Sequence, residues 1–198
     1  MDTARRRATR ARLVEAAIVE FGRNGIDATS VEQLCEAAGF TRGAFYSNFT
    51  SKDDLCIEIA RQTAEETAAY FRQVLERMPH EIEPMGIVPA LLDVANFSNE
   101  LHATQMEMML RAARNPEFGE RLRAARADVM PLYVEVAVTE AARAGMRYSV
   151  PVADALEIIE ALHYSPNQIG YTNRSRHLIG LVSQHLMEPI AKPEEKPQ

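Results

Sequence analysis

Apolar residues recur every three to four positions along most of this chain, the spacing of a helix face, and no stretch alternates as a half-buried strand would. Leu13, Val14, Ala17, Ile18 and Phe21 form one such stripe, which predicts a helix from about Arg7 to Asn24 with Gly25 just past its end. Val31, Leu34, Cys35 and Ala38 form a second, shorter stripe. A third helix of about 42–46 follows, then a long one from Ser51 to about Arg77 carrying Cys56, Ala60, Phe71 and Val74. Pro79, Pro84 and Pro89 with Gly86 interrupt the pattern. Beyond them helices are predicted near 89–100 and 104–114, the latter with Met106, Met109, Leu110 and Ala113 on one side. Pro116 opens a helix to about Ala144, which Pro131 should kink. Two last helices are predicted near 153–170 and 174–187, before a Pro/Glu/Lys-rich tail, 191–198, that reads as disordered. The fold class is therefore all-α.

Residues 29–55 carry the most specific pattern, two short helices joined at Gly39 and followed by a third helix start, which is the order of a DNA-reading helix-turn-helix. Ser30 with Gln33 makes a capping box for the first of these helices, and Ser51 with Asp54 makes another for the helix that follows the unit. The middle helix, about Arg42 to Tyr46, is too short to stand alone and must be held by neighbours. Thr41, Arg42, Tyr46, Ser47 and Asn48 offer a hydroxyl, a guanidinium, a phenol and an amide, the groups that bond phosphates and base edges. Gly43 would allow a close backbone approach, and Lys52 at the next helix N-terminus could grip a phosphate. Thr29 and Ser30 complete the candidate DNA-contacting set. The organisation expected is a three-helix DNA-binding domain at 1–50 and a second helical domain at 51–190.

From Leu13 to Leu55 the chain resembles the DNA-binding domain of the TetR/AcrR family of bacterial transcriptional regulators. The resemblance rests on Ala16-Ala17 with Phe21 and Gly25, on Thr29-Ser30-Val31, on the run Ala37 to Gly43, and on Phe45-Tyr46 with Phe49 and Ser51 to Leu55. Asn48 departs from it, because many relatives carry histidine or tyrosine there. The resemblance implies a homodimeric, ligand-responsive regulator, most often a repressor released from a palindromic operator by a small molecule. It also implies that the second domain binds the ligand and forms the dimer. An activator, or a regulator sensing a protein partner through the same head, is the alternative.

The net charge of −6 looks wrong for a DNA binder until it is divided along the chain. Residues 1–52 hold eight Lys/Arg against six Asp/Glu, while the remainder holds 14 against 22, so a basic tip sits before an acidic body. Such a distribution attracts phosphate to one end only. The Arg5-Arg6-Arg7 run is either a DNA-touching arm or a frayed terminus. No run approaches the roughly 20 apolar residues of a membrane span. The Arg-rich start has no apolar segment behind it, so a cytoplasmic protein is expected. Cys35 and Cys56 lie at apolar helix positions and read as small core residues.

In the second domain, Phe97, Met106, Met109, Met130, Tyr133, Leu162 and His163, with Tyr164, make a sulfur-rich apolar set with a few polar tips. Either they are ordinary core or, as the resemblance implies, they line a cavity for a largely apolar effector. Leu156, Ile159, Ile169, Leu178, Leu181 and Val182 offer more apolar surface than one body needs, and the resemblance implies that they pair across a two-fold axis. Recognition helices set about 34 Å apart would then read a palindrome. An enzyme is the rival class. Its best fragment is Glu160-x-x-His163, but a di-iron bundle needs two such motifs and two further carboxylates, and one is present. No enzymatic activity, metal or cofactor is therefore expected.

Overall fold

The computed structural model describes residues 4–77, 88, 91, 98–163 and 173–190, apart from the side chains of 173–176. Its helices are α1 (Ala4–Asn24), α2 (Val31–Ala38), α3 (Arg42–Tyr46), α4 (Lys52–Arg77), α5 (Asn99–Arg114), α6 (Pro116–Arg143), α7 (Val152–His163) and α8 (Asn173–His185). A short antiparallel ribbon pairs β1 (Met146–Tyr148) with β2 (Met187–Pro189). The chain divides into two compact units, residues 1–65 with 97–129 and residues 66–96 with 130–198.

In the first unit α1 packs on α2 and, most extensively, on α5. The crossing of α1 and α5 is backbone to backbone: a Cβ at Gly22 would stand 2.4 Å from the carbonyl oxygen of Glu100, so only glycine fits. Beside it the hydroxyl of Thr104, fully buried, donates to the carbonyl of Ile18 at 2.9 Å. One core joins Leu13, Phe21, Leu34, Phe45, Leu55 and Phe118, all essentially solvent-free. The expected boundary at residue 50 falls inside this unit. The start of α4, all of α5 and the first part of α6 bury apolar surface against α1–α3.

In the second unit Leu75, Leu91 and Val136 are buried with Phe71 and Val74 against them. The rings of Phe71 and Tyr133 meet edge to face at 6.4 Å. α7 packs on α8, with Ala155 and Ile179 fully buried. Pro131 lies inside α6.

The structure departs from the predicted elements in three places. α1 begins at Ala4, so Arg5, Arg6 and Arg7 lie in its exposed first turn, earlier than the predicted start at about Arg7. α5 begins at Asn99, five residues before the predicted start, because the Ser98 side chain caps it by accepting from the Leu101 amide at 3.1 Å. The β1–β2 ribbon was not foreseen, since three residues per strand are too few to show alternation. The expected continuation of α7 beyond His163 to about residue 170 and the expected disordered tail 191–198 lie outside the described residues.

Candidate nucleic-acid interface

The reading unit is built from caps and aromatic anchors. Ser30 and Gln33 form the reciprocal capping box, Ser30 N to Gln33 Oε1 at 2.7 Å and Gln33 N to Ser30 Oγ at 3.2 Å. At the other end of α2, Gly39 takes a left-handed conformation with φ of 71°. Its amide donates to Glu36 and the Phe40 amide to Cys35, so two otherwise orphaned carbonyls are satisfied as the chain turns. Thr41 then caps α3 through the Ala44 amide.

Five residues cannot sustain a helix by their own hydrogen bonds. Phe45 is fully buried and Phe49 nearly so, their ring centroids 5.9 Å apart, and each such burial contributes about 2–3 kcal/mol. With Phe45 pointing in, Thr41, Arg42, Gly43, Tyr46 and Ser47 stand exposed together. Tyr46 keeps half its surface in solvent, an unusual position for a large aromatic. Arg42 pairs with Glu32 of α2 at 2.5 Å, and its guanidinium carbon lies 5.9 Å from the Tyr46 ring centre. A hydrogen bond with Tyr46, and then the Glu32 charge, hold Arg42 still more firmly protonated than usual.

Three candidate contacts are placed otherwise than expected. Thr29 is fully buried, and its hydroxyl donates to the Gly25 carbonyl at 2.8 Å, so it ties the turn after α1 and is withdrawn from solvent. Lys52 turns its ammonium onto the carbonyls of Ile26 at 2.6 Å, Thr29 at 2.9 Å and Asp27 at 3.4 Å. Three N–H donors facing three carbonyls leave none for a phosphate. Asn48 donates through Nδ2 to the Ala44 carbonyl at 2.8 Å, while its Oδ1 is buried without a partner. Its amide thus closes the end of α3. Ser30 remains exposed but is committed to its cap.

Several residues that fix this unit escaped the sequence reading. Arg10 of α1 forms a two-pronged pair with Glu58, donates to the Asn48 carbonyl at 2.8 Å and lies 4.5 Å over the Phe49 ring. Arg111 of α5 bridges Asp53 at 2.7 Å and Asp27 at 2.6 Å. Arg121 of α6 meets Asp54 at 2.5 Å. The Ile26 amide reaches Glu107 Oε2 at 3.4 Å. The turn 25–29, which leads straight into the cap of α2, is therefore held from α4 by Lys52 and from α5 by Glu107 and Arg111. These partners lie 23 to 84 residues apart, and no local pattern announces them.

The residues assigned to an effector site are divided between the units. Phe97 and Tyr164 lie outside the described residues. On α5, Met109 is 37% exposed and Leu110 is exposed too, whereas Met108 is buried in the core of the head. The inward face of α5 is Leu101, Thr104 and Met108, and the predicted face through Met109 is corrected accordingly; Met106 is half-buried beside it. Met130, Tyr133, Leu162 and His163, half-buried, belong to the second unit. Of the dimer candidates, Ile159 is buried within the protomer and its neighbour Ile158 is the exposed one. Leu181 is exposed, Leu156, Leu178 and Val182 are half-buried, and Ile169 lies outside the described residues. Among the described residues no cluster of three His, Cys, Asp or Glu could hold a metal ion, and no helix is long and apolar enough to cross a membrane.

An anchored short helix presenting Arg42 and Tyr46 behind a capped α2 defines a helix-turn-helix protein. The sequence profile described as "Bacterial regulatory proteins, tetR family" matches residues 13–59. Over 115 residues the chain is 29% identical to the HTH-type transcriptional regulator UidR of Escherichia coli K12, a stretch covering 58% of this chain and 57% of that protein. The chain thus spans a little over half the length of such curated relatives. Among solved structures, GusR of Salmonella enterica superposes with a TM-score of 0.64 at 24% identity, covering 90% of this chain and 95% of that one. FadR of Bacillus subtilis, solved in complex with stearoyl-CoA, superposes with a TM-score of 0.63 at 17% identity, covering 89% and 96%. Residues 13–59 thus match the profile of these bacterial regulatory proteins, and the chain as a whole shares the fold of these solved structures.

Proposed function

We infer that this chain is a homodimeric, ligand-responsive transcriptional regulator, a repressor that leaves a palindromic operator when a small molecule binds its second unit. The observation that carries the reading is the exposed group Thr41, Arg42, Gly43, Tyr46 and Ser47 on a helix too short to persist without Phe45 and Phe49 beneath it. A phenol and a guanidinium side by side in water contribute only about 0.5–1 kcal/mol to stability. A duplex groove would use both.

Thr41, Arg42, Tyr46 and Ser47 contact DNA in this reading, with Gly43 permitting close approach. Thr29 and Lys52 hold the turn behind them. The basic first turn of α1 at Arg5, Arg6 and Arg7 supplies further positive potential. Exposed Ile158 and Leu181 on α7 and α8 belong to the two-fold contact, with Leu156, Leu178 and Val182. The effector is a largely apolar molecule held by Met130, Tyr133, Leu162 and His163, with Tyr and His orienting one polar group. Stearoyl-CoA in the FadR neighbour motivates that chemistry without naming this ligand. The function is regulatory and not enzymatic, and the protein acts in the cytoplasm.

The test is capture of duplex fragments from the source genome by purified protein. The account expects a small set of fragments sharing an inverted repeat, released on adding the metabolite class handled by the neighbouring genes. Uniform recovery of all fragments, weakening only with salt, would contradict it.

A further inference from the structure

We propose that Glu32 is a specificity-determining residue of the reading face, gripping Arg42 so that its guanidinium meets one G·C pair in each half-site. The inference rests on the DNA-binding function proposed above and names a residue outside the contacting set. Glu32 lies in the first turn of α2, with Oε1 2.5 Å from an Arg42 nitrogen, and both side chains are more than half exposed. Exposed pairs of this kind stabilise a fold by about 0–1 kcal/mol, so stability does not account for its place there.

A carboxylate on a surface that meets phosphates is unfavourable in itself. Its use lies in discrimination. An unrestrained arginine neutralises any phosphate within reach, and such contacts favour every sequence alike. Next to Glu32 the guanidinium stays protonated, but the pair as a whole carries no net charge and attracts backbone phosphates less than a lone arginine would. The pair therefore disfavours sequence-independent contact, which widens the gap between right and wrong sites. One carboxylate oxygen engages one edge of a group with five N–H donors, and the donors left free suit the O6 and N7 acceptors of guanine. The Tyr46 ring, 5.9 Å from the guanidinium carbon, limits its swing on the other side. Glu32 itself is a positioning residue, because it acts through Arg42.

In vitro selection from randomised duplexes would test this with wild type, Glu32→Ala, Arg42→Ala and Glu36→Ala. Glu36→Ala removes the same charge from the same helix one turn further on. The expected result is a wild-type site with a guanine preference in each half that falls roughly tenfold in both Glu32→Ala and Arg42→Ala and persists in Glu36→Ala. The Glu32→Ala variant should also show a salt dependence of binding steeper by about one phosphate contact. A Glu32→Ala variant with sites and salt slope like the wild type would overturn the inference while leaving DNA binding intact. So would loss of the preference in all three variants, which would make charge alone the cause. A wild type that enriches no duplex would overturn the DNA-binding reading itself, and this inference with it. Circular dichroism of each variant confirms that the helices are retained.

Discussion

The Lys52 ammonium lies 2.6 Å from the carbonyl oxygen of Ile26, a bond that joins the first residue of α4 to the turn between α1 and α2. It makes a residue expected at the DNA into a brace behind the reading unit. Replacing Lys52 with Met keeps the stem and leaves the carbonyls of Ile26 and Thr29 without their charged donor. Hydrogen bonds to charged groups contribute about 1.5–3 kcal/mol, so Lys52→Met should lower the thermal midpoint by several degrees. DNA affinity should fall with its salt slope unchanged. A slope shallower by about one contact, with the midpoint unmoved, would restore Lys52 to the phosphates.

Arg111 faces two carboxylates that differ in exposure, Asp53 with a side chain 20% exposed and Asp27 with one 82% exposed. Solvent screens the second pair far more than the first. Double-mutant cycles by chemical denaturation should give a coupling of about 1 kcal/mol for Arg111 with Asp53 and under about 0.5 kcal/mol for Arg111 with Asp27. Equal couplings would mean that burial does not set their strength.

Acid should weaken the start of α4. The Asp54 carboxyl is held below its ordinary range, first by the Thr50 hydroxyl and also by Arg121, with burial opposing. A depressed carboxylate contributes stability that is present above its unfolded value and is lost as pH falls through the folded one. Wild type should therefore lose more stability than Asp54→Asn on acidification from neutral pH through the carboxylate range. Parallel acid limbs would show that Asp54 is not depressed.

Neither cysteine should act as a redox sensor. Cys35 and Cys56 are both buried and free, and desolvation pushes the Cys56 thiol up to about 12. The thiolate is the reactive species. A disulfide reagent at neutral pH should label almost no thiol in the native protein and two after unfolding. Rapid labelling of Cys56 in the folded state would contradict that.

Periodicity and caps made the head legible. Ser30, Gln33, Gly39 and Thr41 act through neighbours within four residues, so their roles are written locally. The start of α5 is set by an equally local cap, Ser98 on the Leu101 amide, but the apolar stripe that marks the helix begins further on and drew the predicted start to residue 104. The braces were not legible, since Lys52, Arg111 and Arg121 meet partners brought together only by folding. On α5 the stripe of methionines was ambiguous. Met108 and Met109 are adjacent and equally apolar, and the close approach of α1 at Gly22 and Thr104 decides that Met108 turns inward. The same ambiguity holds for the adjacent Ile158, exposed, and Ile159, buried, on α7.

The central claim is that α3 reads a duplex through its exposed side chains. Its most direct test is titration of a captured genomic fragment with wild type, Arg42→Ala and Tyr46→Ala, with helical content and oligomeric state measured alongside. The account predicts at least about tenfold weaker binding for each variant, from the loss of about 1–3 kcal/mol of base or phosphate contact, with fold and assembly unchanged. Wild-type affinity in both variants would contradict it.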